Sequence, residues 1–348
     1  LEINGPTVNY NNRSNAATDA WRSTLSIGNN GAGAGAVRLH SGSLAVNMQL
    51  GMAMASGSFG AYTQTGGTAT VGGFVALGLG TGTGLFEMTG GTMTHSSLLT
   101  VGAGAGGIGV MRLAGNAVYN ATNTSTTALW VAENGTGTLI LQDSATMTLD
   151  PAGPGLVLGQ NAAGAGTLNL LGGTLTTKSL AKGAGTGMLN FNGGKLKANQ
   201  ANAAFLTGLT NAYVHAGGGA VDNGGNAITI GQALLAPSGN RVSATGLVPG
   251  GSGFIAPPVV TITGDGTGAS AVATIDANGN LTGITMTNPG TGYTTTPAFA
   301  LVGGGIGSSG GFDGSASLVP ATSGGMAFTG AGTTTLTAVN TYTGNTTV

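Results

Sequence analysis

Short stretches of alternating apolar and polar residues, each followed by a glycine-rich turn, recur along the first two thirds of the chain. Three of them read FEMTGGTM at 86–93, LNLLGGTL at 168–175 and LNFNGGKL at 189–196. The first and third letters stay apolar, whereas the second is Glu or Asn. An apolar residue at every second position predicts a β-strand that buries one face, and the glycine pair predicts a tight turn after it.

The pattern repeats eight times when the chain is aligned on this turn, at spacings that vary as loops of different length would make them vary. The position four residues before the turn is apolar or aromatic in every repeat. These positions form the predicted core ladder: Leu1, Val37, Tyr62, Phe86, Met111, Leu139, Leu168 and Leu189. A unit of about 25 residues cannot bury its own apolar face, but stacked units can. Residues 1–236 are therefore predicted to form an all-β parallel β-solenoid of about eight or more coils.

Two further columns are expected to face inward. The position two residues before the turn is apolar in every repeat except one, which carries Gln64. A column shortly after the turn includes Met93, Val118 and Met147. Both columns extend the predicted core beyond a single ladder.

The column between the two apolar positions of the strand is mostly polar and is expected to face outward. Glu2 and Arg38 occupy it in successive repeats. Glu87 and Arg112 do so farther along the chain. Opposite charges one coil apart predict inter-coil ion pairs, and an exposed pair contributes only about 0.2–1 kcal/mol.

The repeat weakens after about Leu235, where a different duplication begins. GSGFIAPPVVTI at 251–262 aligns with GTGYTTTPAFAL at 290–301, placing Pro258 over Pro297. This pattern predicts a small all-β module of two related halves at 237–305, followed by a terminal segment at 306–348. The module resembles the GSGY…PP…TITG units of bacterial surface and phage structural proteins, a resemblance that names a building block and no activity.

The terminal stretch FTGAGTTTLTAVNTYTGNTTV at 328–348 is similar to the autotransporter-associated β-strand repeat. The matching residues are Gly330, Ala331, Gly332, Thr333, Leu336, Asn340, Thr341, Tyr342, Thr343, Gly344 and Val348. One extra threonine and Val339 depart from the family pattern. The resemblance implies a large secreted or surface-displayed bacterial protein with a β-helical stalk.

Composition narrows the class of partner. Charged residues make up 5% of the 348 residues, the net charge is -1, and cysteine is absent. Nucleic-acid binding and polybasic membrane anchoring both need clustered Lys and Arg, so neither is expected. No apolar stretch approaches the roughly 18 residues of a membrane helix. The absence of cysteine excludes disulfides and thiolate sites.

Candidate catalytic groups are few and scattered. Four acidic residues of the repeat region occupy different columns: Glu87, Glu133, Asp143 and Asp150. Solenoid enzymes that cleave polysaccharides need paired carboxylates on neighbouring coils. The histidines also occupy different registers and are expected to be exposed turn or rim residues: His40, His95 and His215. We expect no catalytic residue, no enzymatic activity and no cofactor.

Calcium is the metal candidate. Asp276, Asn278 and Asn280 alternate as the ligands of oxygen-rich loops do. A full site needs six or more oxygens, and no bidentate glutamate follows. Asn278-Gly279 is also a strong hairpin signal. The hairpin turn is therefore the favoured interpretation, with calcium as the alternative.

One polar loop is expected to protrude from the rod. It contains Thr122 and Thr124–Thr127, and Asn123 begins a glycosylation sequon within it. Such a loop is either a contact site or a solvated connection.

These features together predict an extracellular structural protein, a subunit of a cell-surface fibre, filament or sheath. The predicted assembly ends are Leu1, Ile3, Tyr342 and Val348, because the first and last strands lack polar caps. Head-to-tail stacking would then give a homopolymer, and truncation of a longer chain explains the same ends equally well. The alternative is an adhesin, or a carbohydrate-binding or carbohydrate-active β-helix protein that contacts glycans.

Overall fold

The computed structural model describes residues 1–10, 24–122, 129–244, 246–305 and 308–348, with the backbone alone at 6–10. The described residues form β-strands joined by turns, without an α-helix. Most strands have three to seven residues, as expected where glycine and threonine interrupt short apolar runs.

The strands fall into a rod, an inserted module and a continuation of the rod. The first rod strands are β1 (Glu2–Tyr10), β2 (Leu25–Ile27), β3 (Ala34–Val46), β4 (Leu50–Met52), β5 (Phe59–Gln64), β6 (Thr68–Val71), β7 (Val75–Leu77), β8 (Thr83–Met88), β9 (Thr92–His95), β10 (Leu99–Val101), β11 (Ile108–Leu113), β12 (Val118–Ala121), β13 (Leu129–Val131), β14 (Thr136–Gln142), β15 (Thr146–Leu149), β16 (Leu156–Leu158), β17 (Ala165–Leu171), β18 (Thr174–Thr177), β19 (Leu180–Lys182), β20 (Thr186–Phe191), β21 (Lys195–Ala198), β22 (Asn202–Leu206), β23 (Asn211–Val214), β24 (Gly219–Asp222) and β25 (Ile228–Ile230). The module contains β26 (Asn240–Ser243), β27 (Val248–Ser252), β28 (Val259–Thr263), β29 (Thr267–Ile275), β30 (Leu281–Thr291), β31 (Ala298–Val302), β32 (Ser309–Asp313) and β33 (Ser317–Pro320). The rod then continues with β34 (Met326–Thr329), β35 (Thr334–Leu336) and β36 (Thr346–Thr347).

The rod is a parallel β-solenoid with three faces, which confirms the predicted fold. Face A stacks β1, β3, β5, β8, β11, β14, β17, β20 and β23 in parallel register. Face B stacks the second halves of β1 and β3 with β6, β9, β12, β15, β18, β21, β24, β34 and β36. Face C stacks β2, β4, β7, β10, β13, β16, β19, β22, β25 and β35. Successive triplets from β2–β3 to β22–β24 make eight complete coils, a rod about 40 Å long at the usual strand spacing.

Seven members of the predicted core ladder lie in register along face A: Val37, Tyr62, Phe86, Met111, Leu139, Leu168 and Leu189. All seven are at most 4% exposed. The prediction was wrong for Leu1, which is 63% exposed. Leu1 lies one residue before β1, outside the strand whose pairing with β3 carries Ile3 into the core, and its side chain stays exposed.

An aromatic cluster extends from the second to the fourth coil. The ring of Phe86 stacks on Tyr62 at a centroid distance of 5.1 Å and meets Tyr119 edge-on at 5.8 Å. Tyr119, not the predicted Val118, occupies the inward position on β12 and pairs with Met93 and Met147. The turn before β12 carries one more residue than the turn before β9, which shifts the inward position by one.

Gln64, the polar exception in an apolar column, is 1% exposed. Its side-chain oxygen accepts a hydrogen bond from the hydroxyl of Tyr62 at 2.9 Å. Its amide nitrogen donates to the carbonyl oxygens of Gly67 and Thr92, both at 3.2 Å. A buried amide is tolerated when its hydrogen bonds are made inside the core.

A column of glycines runs along face A. The sequence analysis did not predict it, because glycine was interpreted as a turn residue. Its members are Gly35, Gly60, Gly84, Gly109, Gly137, Gly166 and Gly187. A Cβ on Gly109 would lie 2.2 Å from the backbone nitrogen of Gly102. Glycine is therefore required here so that the face C backbone can approach the face A strand closely.

Replacing Gly109 by alanine is expected to lower the free energy of unfolding by about 3 kcal/mol, because backbone atoms cannot move aside for a methyl group. Gly231→Ala is the matched control in the rod, since its Cβ would meet nothing closer than 3.4 Å. Urea denaturation followed by circular dichroism measures both. Equal stability of the two variants would show that the close approach does not require glycine.

The module is an insertion between two strands of one coil. The chain leaves the rod after β25, where Leu235 still bridges to Tyr213 of the previous coil, and re-enters at β34 beside β24. The module extends to Pro320, past the predicted boundary at 305, because β26 and β27 pair antiparallel with β33 and β32. Residues from Met326 onward belong to the rod, so 306–348 is not a separate unit.

The four central module strands lie in the order β30-β29-β28-β31. The two halves of the sequence duplication meet here, since β28 and β31 pair antiparallel. Phe254 and Tyr293 occupy equivalent positions in the duplication and are both buried, at 5% and 3% exposed. The module therefore has apolar clusters of its own, separate from the core of the rod.

Candidate functional site

The module lies over the outer surface of face A and encloses a cleft of about 350 Å³ against it. The rod side of this cleft is formed by Ile108 and Val110 of β11, Thr136 and Thr138 of β14, and Thr167 of β17. These residues alternate along their strands because every second side chain of a strand points to the same face. The rod therefore supplies a floor of methyl and hydroxyl groups.

The module side of the cleft is formed by consecutive residues, Val259–Thr263 of β28 and Gly268–Ser270 of β29. β28 and β29 are neighbouring antiparallel strands joined by residues 264–266, with Val259 paired to Val272. The module wall of the cleft is thus one hairpin that lies over the rod.

An apolar contact fixes the module at one end of the cleft. Phe59, Ala61 and Leu85 of face A form a buried cluster with Ala256 and Val259 of the module. All five are at most 7% exposed. Face A therefore has to be apolar on both sides at these coils, unlike a strand with one solvated face.

A chain of buried hydrogen bonds fixes the module at the other end. His215 Nε2 donates to Asn190 Oδ1 at 3.1 Å, and Asn190 Nδ2 donates to Asn169 Oδ1 at 2.8 Å. Asn169 Nδ2 then donates to Ser270 Oγ at 2.8 Å, and that oxygen lies 2.8 Å from Thr287 Oγ1. Both asparagines are fully buried. Asn169 and Asn190 share the polar column of the repeat, and no pattern in the repeat indicates that a module covers them.

The predicted ion pairs form between successive coils. Arg38 Nη1 lies 3.0 Å from Glu2 Oε1, and Arg112 contacts Glu87. Arg112 Nε also donates to Gln142 Oε1 at 3.2 Å. Arg38 additionally donates to the backbone oxygen of Ile255 in the module, so this pair serves module docking as well as coil stacking.

The cleft itself is uncharged along its described lining. The Glu87–Arg112 pair borders a smaller neighbouring pocket beside Pro257 and Pro258. Within the described ranges, no three His, Asp or Glu side chains gather as a metal-binding group. The site can therefore offer hydrogen bonds and apolar contact, but its lining presents no ionisable group.

The calcium candidates form a hairpin tip between β29 and β30. Asp276 Oδ1 accepts from the backbone nitrogens of Asn278 and Asn280, at 2.9 and 2.8 Å. Asp276 Oδ2 accepts from Asn280 Nδ2 at 2.8 Å. These bonds, led by the Asn280 side chain, lower the pKa of Asp276. The Asn280 side chain thus directs its N–H donor toward the Asp276 carboxylate, which is the arrangement expected of a hairpin turn.

Asp276→Ala is expected to lower the melting temperature of the protein by the same amount in millimolar CaCl2 and in EDTA, because the carboxylate closes a turn. Scanning calorimetry of the wild type and the variant under both conditions measures this. If CaCl2 raised the melting temperature of the wild type but left that of the variant unchanged, the result would instead establish a calcium site at Asp276.

Two of the three histidines contradict the prediction of exposed rim positions. His95 is fully buried and His215 is 2% exposed. Burial lowers the pKa of each to about 4, and the charge of Arg241 adds to the lowering at His215. His95 lies in the inward column of face B between Val71 and Ala121. His40 is exposed, with Nδ1 3.1 Å from Thr65 Oγ1.

The predicted assembly ends differ in accessibility. Leu1 and Val348 are exposed. Ile3 is 3% exposed within the core. Tyr342 packs against the same core, and its hydroxyl lies 2.6 Å from Thr346 Oγ1. Ile3 therefore belongs to the core of the rod, whereas Tyr342 is half-buried beside that core.

The predicted polar loop at 123–128 lies outside the described residues, and only Thr122 at its start is placed. Thr122 Oγ1 donates to the carbonyl oxygen of His95 at 3.1 Å. In the described part of the chain, no helix is long and apolar enough to cross a membrane.

No protein-family model, curated protein or solved structure matches the chain.

Proposed function

We propose that this protein is an extracellular structural protein, a rod-forming subunit of a cell-surface fibre, filament or sheath. The observation that carries the proposal is the unbroken parallel register of the rod through eight coils. Each coil contributes fully buried aliphatic or aromatic side chains to a single core. Such a core gives the rod a fixed length and direction, and a stalk or fibre requires both.

The outer surface supports the same proposal. Charged residues are 5% of the chain. Among the described residues, three ion pairs connect successive coils: Glu2–Arg38, Glu87–Arg112 and Asp222–Lys197. With so few charges, neighbouring rods repel one another little. A surface of this kind favours close lateral or end-to-end packing of copies.

The terminal coil supports placing the protein outside the cell. Residues that match the autotransporter-associated repeat close this coil onto the previous one: Asn340 Oδ1 accepts from the backbone of Leu234 at 2.8 Å. Thr341 Oγ1 accepts from the backbone of Ala236 at 3.1 Å. The motif thus stacks one coil on the previous coil, as a solenoid repeat does. The autotransporter-associated repeat is found on secreted and surface-displayed proteins.

Electron microscopy of the purified protein, with light scattering over a concentration series, tests the proposal. Rods that associate into fibres or sheets with rising concentration are expected. A protein that stays monomeric at high concentration would contradict the proposal that copies of the rod assemble. Release of reducing sugars from a panel of polysaccharides would contradict the proposed structural role and indicate an enzyme.

A further inference from the structure

Face B carries two columns of threonines on its outer side. Four of its strands have the pattern Thr-X-Thr, in which X is buried in the core. The eight threonines of this array are Thr68 and Thr70 of β6, Thr92 and Thr94 of β9, Thr146 and Thr148 of β15, and Thr174 and Thr176 of β18. We propose that the threonine array binds the surface of ice, an activity separate from the assembly of the rod.

The array has a constant spacing, because each threonine lies beside its counterpart in the neighbouring strand. Thr68 pairs with Thr92, and Thr146 pairs with Thr174. Between these two halves, β12 has Val118 and Asn120 at the same positions and joins them without a register shift. Neighbouring strands lie about 4.8 Å apart, and alternate residues of one strand lie about 6.6 Å apart. Both spacings are close to repeat distances of the oxygen atoms in hexagonal ice.

The residues beneath the array hold it in place. Met93, Met147 and Leu175 occupy the X positions and are fully buried in the core of the rod. The strands that carry the threonines are paired on both sides within face B. A surface that is already ordered loses little conformational entropy when it binds a solid partner.

The threonine hydroxyls are available to such a partner. In the described part of the chain, no side chain of the array donates or accepts a hydrogen bond within the protein. Thr122 and Thr177, by contrast, donate to backbone carbonyl oxygens of the rod. All eight side chains of the array lie at exposed or half-buried positions. Each hydroxyl offers one donor and two acceptor sites, so it can take the place of a water molecule at an ice surface.

The uniformity of face B is not a general property of these coils. Threonine is a common strand residue on any half-buried surface. In the same five coils, however, the middle residues of the face C strands are Gly51, Ala76, Thr100, Trp130 and Val157. Strand formation in this rod therefore does not require threonine, and its regular use on face B indicates a role for its methyl and hydroxyl groups.

Charge and aromatic character also restrict the partner. From β6 to β18, the outward positions of face B carry no ionisable group, and the first lysines on this face are Lys195 and Lys197 of β21. A charged polymer would therefore find no ion-pair partner on the array. The rings of His95 and Tyr119 in these strands are fully buried, so a sugar ring would have no exposed face to stack on. A lattice of water molecules needs neither charge nor an aromatic platform.

Uptake of the full chain into slowly growing ice tests the proposal, together with microscopy of ice recrystallisation. We expect the wild type to be enriched in the ice fraction and to keep the ice grains small during annealing. Serum albumin at the same concentration serves as the protein that ice excludes.

The matched variants are two double substitutions to tyrosine. Thr94→Tyr/Thr148→Tyr places one bulky side chain in each half of the array. Thr186→Tyr/Thr229→Tyr changes outward threonines of faces A and C instead. The first variant should need about tenfold more protein or higher to inhibit recrystallisation, whereas the second should match the wild type. Circular dichroism checks that both variants keep the strand content of the wild type.

Exclusion of the wild type from ice would overturn the proposal, as would equal losses in the two variants. Binding to crystalline cellulose that Thr94→Tyr/Thr148→Tyr abolishes, without uptake into ice, would identify a polysaccharide surface as the partner and would also overturn it. Light scattering above the freezing point measures assembly of the rod in the absence of ice. The proposed assembly and the proposed ice binding can therefore fail separately.

Discussion

Replacing Phe86 by alanine is expected to lower the free energy of unfolding by about 3–5 kcal/mol. Phe86 is fully buried, with Tyr62 stacked on one side and Tyr119 meeting it edge-on from the other. Neither ring can move into the space left behind, because each is held by the strand of its own coil. The variant therefore loses both the transfer free energy and the contacts around the cavity.

Phe74→Ala is the matched control, because Phe74 directly precedes β7 in the same coil but is 43% exposed. Its cost should be within about 1 kcal/mol of zero. Urea denaturation followed by circular dichroism, with hydrogen exchange to locate the loss, measures both variants. Similar costs for Phe86 and Phe74 would mean that the ladder on face A is not the core of the rod.

Acidification is expected to destabilise the rod between pH 6.5 and pH 4. The pKa of His95 and of His215 is lowered to about 4 in the folded protein, mainly by burial. The unfolded chain, with an ordinary pKa near 6.5, then binds more protons than the folded one. Stability is therefore complete above about pH 6.5 and falls as the pH drops, by about 3 kcal/mol for each histidine.

His95→Val isolates one of these contributions. Valine matches Val71 at the neighbouring position of the same column, and neither ring nitrogen of His95 has a hydrogen bond of normal geometry in the described part of the chain. The variant should lose about half of the acid dependence and gain stability below pH 4. Unfolding free energies measured in urea from pH 3 to pH 8 give the comparison.

Tyr119→Phe serves as the control for His95→Val. The Tyr119 ring lies 5.3 Å from that of His95, and its buried hydroxyl likewise has no hydrogen-bond partner among the described residues. Burial raises the pKa of Tyr119 far above the acid range. Removing its hydroxyl should change stability equally at every pH tested. A change in acid dependence with Tyr119→Phe would assign the effect to packing around His95.

The alternation of apolar and polar residues was sufficient to predict the rod. Phe86, Met111 and Leu139 stack as expected because a strand with one apolar face has few ways to bury it, and a repeat makes the same choice in every coil. Glu87 and Arg112 meet for the same reason. The inward position was wrong by one residue where a turn carries an additional residue, as before Tyr119.

Only the tertiary structure decided which groups lie under the module and how its strands meet the rod. The repeat places Asn169 and Asn190 in an outward column, where solvent would be expected, but the inserted chain folds back and buries both. The cleft exists because β28 and β29 lie over face A, and no local pattern in either strand encodes that placement. Local alternation fixes which side of a strand is apolar. The residues that cover the other side come from distant parts of the chain, so only the folded molecule reveals them.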